Sequence, residues 1–230
     1  MIRKEPVGFF DPDLIPWQPE ANIDGLYSKT LSRCKKTGSY TRLLKFLPGA
    51  DTSAAGPQTH DHLEELWIVE GAIRDLTLNQ NFVAGMYANR LPHMEHGPWQ
   101  APDGAITYEL RDNDPEGRIK KQQFEFFDAA LIEWDGVDDN AGVFVKTLTT
   151  CADTKSFGRL VKFHPDATKP DRLQGEMNRS ELWIVSGELY DRESGITHPS
   201  GSYGTLDVDL LDGHWGSQSG CVVFEVRNLI

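Results

Sequence analysis

A chain of 230 residues and 25.8 kDa is long enough for one large domain or two small ones, and 25% charged with 39% hydrophobic residues, six Trp and eleven Phe among them, excludes general disorder. Lys+Arg at 23 against Asp+Glu at 35 gives a formal net charge of −12, a field that repels nucleic-acid phosphates and anionic lipid heads. The three cysteines, Cys34, Cys151 and Cys221, lack CxxC spacing and fit a reducing compartment better than a disulfide framework or a thiolate zinc site. Pro6, Asp11, Pro12, Asp13 and Pro16 interrupt any apolar leader after Arg3 and Lys4, and no apolar run is long enough to span a bilayer, so a cytoplasmic protein is expected.

In chain order the apolar runs are short, β-branched or aromatic, and bounded by Gly, Pro, Asn and Asp. Strands are predicted over 40–47, 63–69 and 105–110, then over 157–163, 181–185 and 221–226, with one short helix over 128–134. Strands this short and this closely spaced define an all-β chain of the sandwich or barrel kind.

The elements repeat. Phe9-Phe10-Asp11-x-x-Leu14-Ile15-x-Trp17 recurs as Phe126-Phe127-Asp128-x-x-Leu131-Ile132-x-Trp134, and Lys29-Thr30-Leu31-x-x-Cys34 recurs as Lys146-Thr147-Leu148-x-x-Cys151, both at an offset of 117. After one gap the offset is 116. Glu65-Leu66-Trp67-Ile68-Val69-x-Gly71 matches Glu181-Leu182-Trp183-Ile184-Val185-x-Gly187, Trp99 matches Trp215, and Glu109-x-Arg111 matches Glu225-x-Arg227. Two copies are too few for a solenoid, so the reading is two similar domains, 1–117 and 118–230, divided in the polar stretch 112–117.

Four of the seven histidines fall in the first copy, His60 and His62 beside Glu64 and Glu65, and His93 and His96 further on. At the matching positions the second copy has Glu176, Asn178, Ser180 and Asp212 for His60, His62, Glu64 and His96, whereas Gln58 and Gln174 agree. Histidines that served packing would be retained with the shared tryptophans, so these behave as a detachable site. Imidazole and carboxylate together suit Fe(II), Mn, Ni or Zn, and side chains two apart on a strand share a face, which would aim His60, His62 and Glu64 the same way. The competing reading is a solvated turn around Asp61 and a surface His96.

His60-x-His62, Glu64, Gly71, Gly85, Pro92 and His96-Gly97-Pro98-Trp99 resemble the two motifs of the cupin superfamily, and Glu64-Glu65-Leu66-Trp67-Ile68-Val69-Glu70-Gly71 resembles its ChrR-type branch. The resemblance spans both copies. It implies a bicupin: two tandem jelly-roll (double-stranded β-helix) barrels, the first with one divalent transition metal held by His60, His62, Glu64 and His96, the second degenerate. Iron is the first choice, with Zn, Mn and Ni sharing the ligands. Cupins usually place three or four residues between the second histidine and the glutamate, whereas Leu63 alone separates His62 from Glu64. An alternative register is therefore Gln58, His60, Glu64 and His96, with His62 in the turn, and a further alternative gives the carboxylate role to Glu65. The helical anti-sigma zinc domain of ChrR proteins finds no counterpart before residue 40, so sigma-factor binding does not carry over.

The resemblance further implies a small-molecule dioxygenase or related metal enzyme acting on a carbonyl or diketone-type substrate. The alternative is a bicupin that binds or senses metal and a small ligand without turnover. His93 or Glu95 is a candidate proton carrier, and Trp67, Tyr87, Trp99 and Tyr108 are candidates to line the barrel, although their repeat partners Trp183, Tyr203, Trp215 and Phe224 favour core packing. Glu109 and Arg111 read as a structural ion pair, and the second barrel as a cover for an apolar sheet face or a support for homodimer assembly.

Overall fold

A computed structural model describes all of the chain except residues 1–3, 5, 22, 115–116, 138–141, 169–178, 208–209, 212–213 and 229–230. The first sequence copy carries β1 (Val7–Phe10), β2 (Gln18–Pro19), β3 (Leu26–Arg33), β4 (Tyr40–Phe46), β5 (Ala50–Asp51), β6 (Leu63–Asp75), β7 (Gln80–Val83), β8 (Met86–Arg90), β9 (Trp99–Ala101) and β10 (Ala105–Asp112). The second carries β11 (Phe124–Asp128), β12 (Asp135–Gly136), β13 (Val143–Cys151), β14 (Ser156–Phe163), β15 (Ala167–Thr168), β16 (Arg179–Asp191), β17 (Ile196–Pro199), β18 (Tyr203–Asp207), β19 (Trp215–Ser217) and β20 (Cys221–Arg227). The helix expected over 128–134 is a single 3-10 turn, Ala129–Leu131, capped by the Asp128 side chain on the Ala130 amide. No helix among the described residues is long and apolar enough to cross a membrane.

All pairings are antiparallel, and each half forms a jelly-roll barrel in which one long strand serves two sheets. In the first, the large sheet runs β11-β8-β6-β10-β4-β3-β2, and β6 also pairs with β7 and β9, β9 in turn with β5. The second repeats this as β1-β18-β16-β20-β14-β13-β12, with β17, β19 and β15. The long strand passes from one sheet to the other at Gly71, and at Gly187 in the second half, two residues after its register against β10 or β20 shifts at Val69 or Val185. Gly71 sits at φ +68°, and a Cβ there would lie 2.1 Å from the Gly104 carbonyl oxygen, so only glycine permits the bend.

The outer strands are exchanged between copies. β1, which opens the first copy, pairs with β18, and β11, which opens the second, pairs with β8. Between the barrels the two large sheets pack face to face on Trp67, Tyr87, Tyr108, Trp183, Tyr203 and Phe224, with Trp67 stacked on Phe224 at 5.5 Å. Each barrel keeps its own interior, built on Leu66, Ile68, Phe82 and Phe126 in the first and on Leu182, Ile184, Leu189 and Phe163 in the second.

A polar lock closes this apolar interface twice. Glu65 accepts from Tyr87 Oη and from Lys121 Nζ, each at 2.6 Å, and Glu181 accepts from Tyr203 Oη and Lys4 Nζ, also at 2.6 Å each. Lys4 and Lys121 are repeat partners on the exchanged arms, so each arm brings the counter-charge for a carboxylate buried in the other copy's barrel wall. Truncating Lys121 to Met leaves Glu65 buried without its cation; a loss of roughly 3–5 kcal/mol in urea unfolding is expected, partly recovered by adding Glu65→Gln. Gly71→Ala should cost about 2–4 kcal/mol by the same measurement, whereas an effect under about 0.5 kcal/mol would contradict the strain at the bend.

Candidate metal centre and adjoining cavity

Alternation along β6 sorts its side chains. Glu64, Leu66 and Ile68 enter the first barrel, whereas Glu65 and Trp67 face the interface. The segment before β6 and the segment before β9 pair through Gln58 and His96, whose amides and carbonyls exchange bonds of 2.9 and 3.0 Å, and the His93 amide donates to the His60 carbonyl at 2.8 Å. Asp75 at the end of β6 accepts from the amides of Thr77, Leu78 and Gly97, tying down the turn beside His96.

This scaffold brings His60, Glu64 and His96 together, with one ligand atom from each lying within 4.8 Å of the others. Glu64 Oε2 is 3.2 Å from His60 Nε2 and 4.0 Å from His96 Nε2. Both rings are oriented from behind: His60 Nδ1 donates to the His62 carbonyl and His96 Nδ1 to the Met94 carbonyl, each at 3.0 Å. A carbonyl only accepts, so each Nδ1 carries hydrogen and each Nε2 lone pair is free to coordinate. Two imidazole lone pairs facing a carboxylate is an arrangement that a shared cation stabilises.

Glu64 is the centre of a row across three strands, with Arg90 of β8 on one side and Arg111 of β10 on the other. Arg111 donates to Oε1 from Nε and Nη2, both at 2.7 Å, and Arg90 Nη1 donates to Oε2 at 2.8 Å. A carboxylate offers about four acceptor positions; three are used, and the last, on Oε2, faces the two histidines. The residues present therefore fit one divalent ion. Burial works against charge on Glu64, but Arg111 and Arg90 outweigh it and hold its carboxyl well below the usual range. Burial lowers the imidazole pKa of His96, helped by Arg90, and that of His62, helped by His60 and Arg111, so both favour the neutral ring.

The remaining expectations separate clearly. His62 is not among the converging atoms: its ring stacks on His60 at 4.5 Å with 5° between planes, and Tyr40 approaches it edge-on. Gln58, the alternative member, lies at the mouth of the cavity that Glu64 and His96 line. Glu65 is held by Tyr87 and Lys121 in the interface, away from the centre. His93 is exposed, 3.5 Å from Asp61, and Glu95 is exposed as well. Of the four aromatics, Trp99 lines the cavity while Trp67, Tyr87 and Tyr108 belong to the inter-barrel core. The principal partner of Glu109 is Arg42, at 2.8 Å, and that of Arg111 is Glu64, with Glu109 3.6 Å away. Gln174, Glu176, Asn178 and Asp212 of the second copy lie outside the described residues.

Sequence reasoning missed Arg90 and the arm residue Glu125. Neither is kept at its repeat position, where Leu206 matches Arg90 and Gly8, on the arm that joins the second barrel, matches Glu125, so the comparison that singled out the histidines carried the signal for them too.

Residues 8–112 match the ChrR cupin-like domain, and the fold of both halves recurs across solved cupin-fold structures. A candidate dioxygenase from Nostoc punctiforme is similar at TM-score 0.71 and 14% identity, covering 96% of this chain and 81% of the other. A candidate glyoxylate-induced protein from Pseudomonas aeruginosa is similar at TM-score 0.73 and 11% identity, covering 95% and 87%. Oxalate decarboxylase from Lactobacillus farciminis, solved with formate, is similar at TM-score 0.60 and 11% identity, covering 97% and 87%. No curated protein matches the chain in sequence.

The acid response of the metal-free protein follows from the titrating groups. With His62 and His96 lowered on folding, the unfolded chain takes up protons first, so stability is lost as pH falls from about 6.5 toward their folded values. Glu64 adds a second loss well below pH 4.5, as its carboxyl is finally protonated. A urea midpoint flat between pH 7 and 5 would contradict the first step, and His96→Phe should reduce it.

Proposed function

We propose that the first barrel is a metal-dependent enzyme for a small carbonyl compound, of the dioxygenase type, and that His60, Glu64 and His96 hold its ion. The observation that carries this is the convergence of two free Nε2 lone pairs on the last open acceptor position of Glu64. Two histidines and one carboxylate with open positions is the ligand set of non-haem Fe(II) oxygenases, and Zn, Mn or Ni share those donors. Such an ion supplies Lewis-acid polarisation of a substrate oxygen and, as iron, reactivity toward dioxygen. The similarity in fold to a candidate dioxygenase and to a decarboxylase supports a small oxygen-bearing substrate.

The chain's own residues do the rest. The His62 and Met94 carbonyls fix both rings, and Arg111 fixes the Glu64 carboxylate plane by two bonds to Oε1. Gln58, in the alternative register, adds an amide oxygen at the cavity mouth. Leu26, Leu44, Phe46 and Ile73 supply apolar lining to the cavity. The three guanidinium bonds to Glu64 favour a second reading, a bicupin that binds or senses without turnover, because they weaken the carboxylate as a ligand. Product formation under aerobic incubation of iron-loaded protein with a diketone or oxoacid panel separates the two.

Elemental analysis of the purified protein should show close to one transition metal per chain. His60→Ala and His96→Ala should each lower metal affinity at least tenfold or so without unfolding the barrel, while His62→Ala should retain the metal. Full metal in both of the first two variants would remove the proposed centre.

A further inference from the structure

The second barrel is an internal control for the polar groups that line the cavity. Arg42 donates from Nε to Glu109 at 2.8 Å, and its repeat partner Arg159 donates from Nε to Glu225 at 2.7 Å, so this pair belongs to the scaffold of both halves. A second contact of Arg42 does not. Its Nη1 donates to Glu20 at 3.1 Å, and Val137 stands at the repeat position of Glu20. The backbone there is alike in both copies: the Glu20 amide donates to the Leu26 carbonyl at 2.8 Å, and the Val137 amide to the Val143 carbonyl at 2.9 Å. Thr107, which donates to Glu109 at 3.2 Å, is likewise matched by a valine, Val223. Both valines pack into the apolar interior of the second barrel, whereas Glu20 and Thr107 line the cavity. The barrel that holds His60, Glu64 and His96 thus sets two polar side chains beside the Arg42–Glu109 pair where its twin sets valines.

Of the two carboxylates on Arg42, Glu20 is the replaceable one. The Glu109 side chain is 5% exposed and fixed on β10, whereas that of Glu20 is 30% exposed, just past β2. An ion pair open to water is worth little net free energy, so exchanging Glu20 for another carboxylate costs little. Arg42, itself 15% exposed, turns Nε to Glu109 and offers Nη1 and Nη2 as its end edge. Such an edge engages a carboxylate through two parallel bonds, and Glu20 takes Nη1 alone.

Charge points to an acid. The carboxylates lining the cavity, Glu20, Glu64 and Glu109, balance Arg42, Arg90 and Arg111, so a divalent ion there adds two positive charges that an anionic ligand offsets and a neutral one does not. The cavity measures about 240 Å³, the liquid volume of about eight waters, and its apolar lining suits a short aliphatic chain.

We propose that Arg42 seats the carboxylate of a small aliphatic oxoacid, which displaces Glu20 from Nη1 and takes the Nη1 and Nη2 edge, its keto oxygen toward the His60, Glu64 and His96 centre. The keto contact rests on the metal reading above; the Arg42 contact does not. The test is titration of the chelator-stripped full chain, followed by NMR, with 4-oxopentanoate and with 2,5-hexanedione, which replaces the carboxylate by an acetyl group. Wild type should bind the oxoacid at least about threefold more tightly than the diketone. Glu20→Gln, which removes the competing charge, should tighten the oxoacid about tenfold and leave the diketone within about threefold. Arg42→Lys, which keeps a cation for Glu109 without the fork, should weaken the oxoacid about tenfold, and adding Glu20→Gln to it should recover less than about threefold. If Glu20 only braces the cavity mouth, Glu20→Gln leaves oxoacid affinity unchanged or weaker, and that result overturns the proposal. So does a gain of equal size in the Arg42→Lys background, which reports net charge alone, and so does failure of both wild type and Glu20→Gln to bind the oxoacid. Where Arg42→Lys does not fold, Asp51→Asn, which removes an exposed charge beside the cavity residue Thr52, is the charge control, and a gain matching that of Glu20→Gln overturns the proposal. The titrations are then repeated with zinc: no added affinity for the oxoacid counts against the keto contact and the metal reading, and leaves the Arg42 seat standing.

Discussion

Neighbouring residues on an extended strand face opposite ways, and at Glu64 and Glu65 this places two acidic side chains in two separate dry compartments. Neither can be buried without partners, and the partners each one recruits define the two halves of the design. Glu64, inside the barrel, draws Arg90 and Arg111 from the flanking strands and meets His60 and His96. Glu65, in the interface, draws Tyr87 from its own barrel and Lys121 from the arm of the second copy. A register slip of one residue on β6 would exchange the compartments and leave both carboxylates wrongly partnered.

The interface side of this sorting ties the copies together. Glu181 retains its role as the partner of Glu65, with Tyr203 and Lys4 in place of Tyr87 and Lys121. The pairing is not a perfect twofold. Thr41 donates to Glu181, while its repeat partner is Gly158, where a Cβ would lie 2.6 Å from Glu65 Oε2. Glycine at that position makes room for the Glu65 carboxylate where its counterpart supplies a hydroxyl. The arm exchange also reaches the interior of the first barrel, because β11 brings Phe126 against Phe82 and Trp99, and Glu125 toward Arg90. The first barrel thus depends on residues that follow the sequence boundary between copies.

Much of this was legible in the amino-acid order, and the losses have physical reasons. Periodicity predicts the strands, the duplicated pattern two similar domains, and the resemblance to cupins two jelly rolls, whereas the strand expected over 63–69 continues through a bend at Gly71 to Asp75. Turn spacing offers Gln58, His60, Glu64 and His96 as one register, three members of which converge, whereas the alternative carboxylate Glu65 lies on the opposite face of β6. Alternation could not place His60 and His62, because neither is on a strand: the segment before β6 is a turn, and its geometry depends on pairing with residues near His96 more than thirty positions away in sequence. The aromatic residues were harder still. Trp67 and Trp99 look alike in sequence, yet one serves the interface and the other the cavity, a distinction set by which sheet face the second barrel covers.

The arrangement around Glu64 also bears on how tightly the centre could hold an ion. Three of its four acceptor positions are given to guanidinium donors, which draw charge from the carboxylate and leave one position on Oε2. An ion there would rest mainly on the two imidazoles, and burial with Arg90 lowers the pKa of His96 and favours its neutral ring. In the second barrel Ser180 replaces Glu64, and Arg227 turns to its hydroxyl and to Glu225, so the same strand position is satisfied by a neutral group. Conversion of Glu64 to a residue like Ser180 would therefore strand Arg90, which has no other hydrogen-bonded carboxylate. Loss of the Glu64 carboxylate and loss of Arg90 are coupled by electrostatics, and the second copy, with Ser180 and Leu206 at those positions, shows the consistent end state.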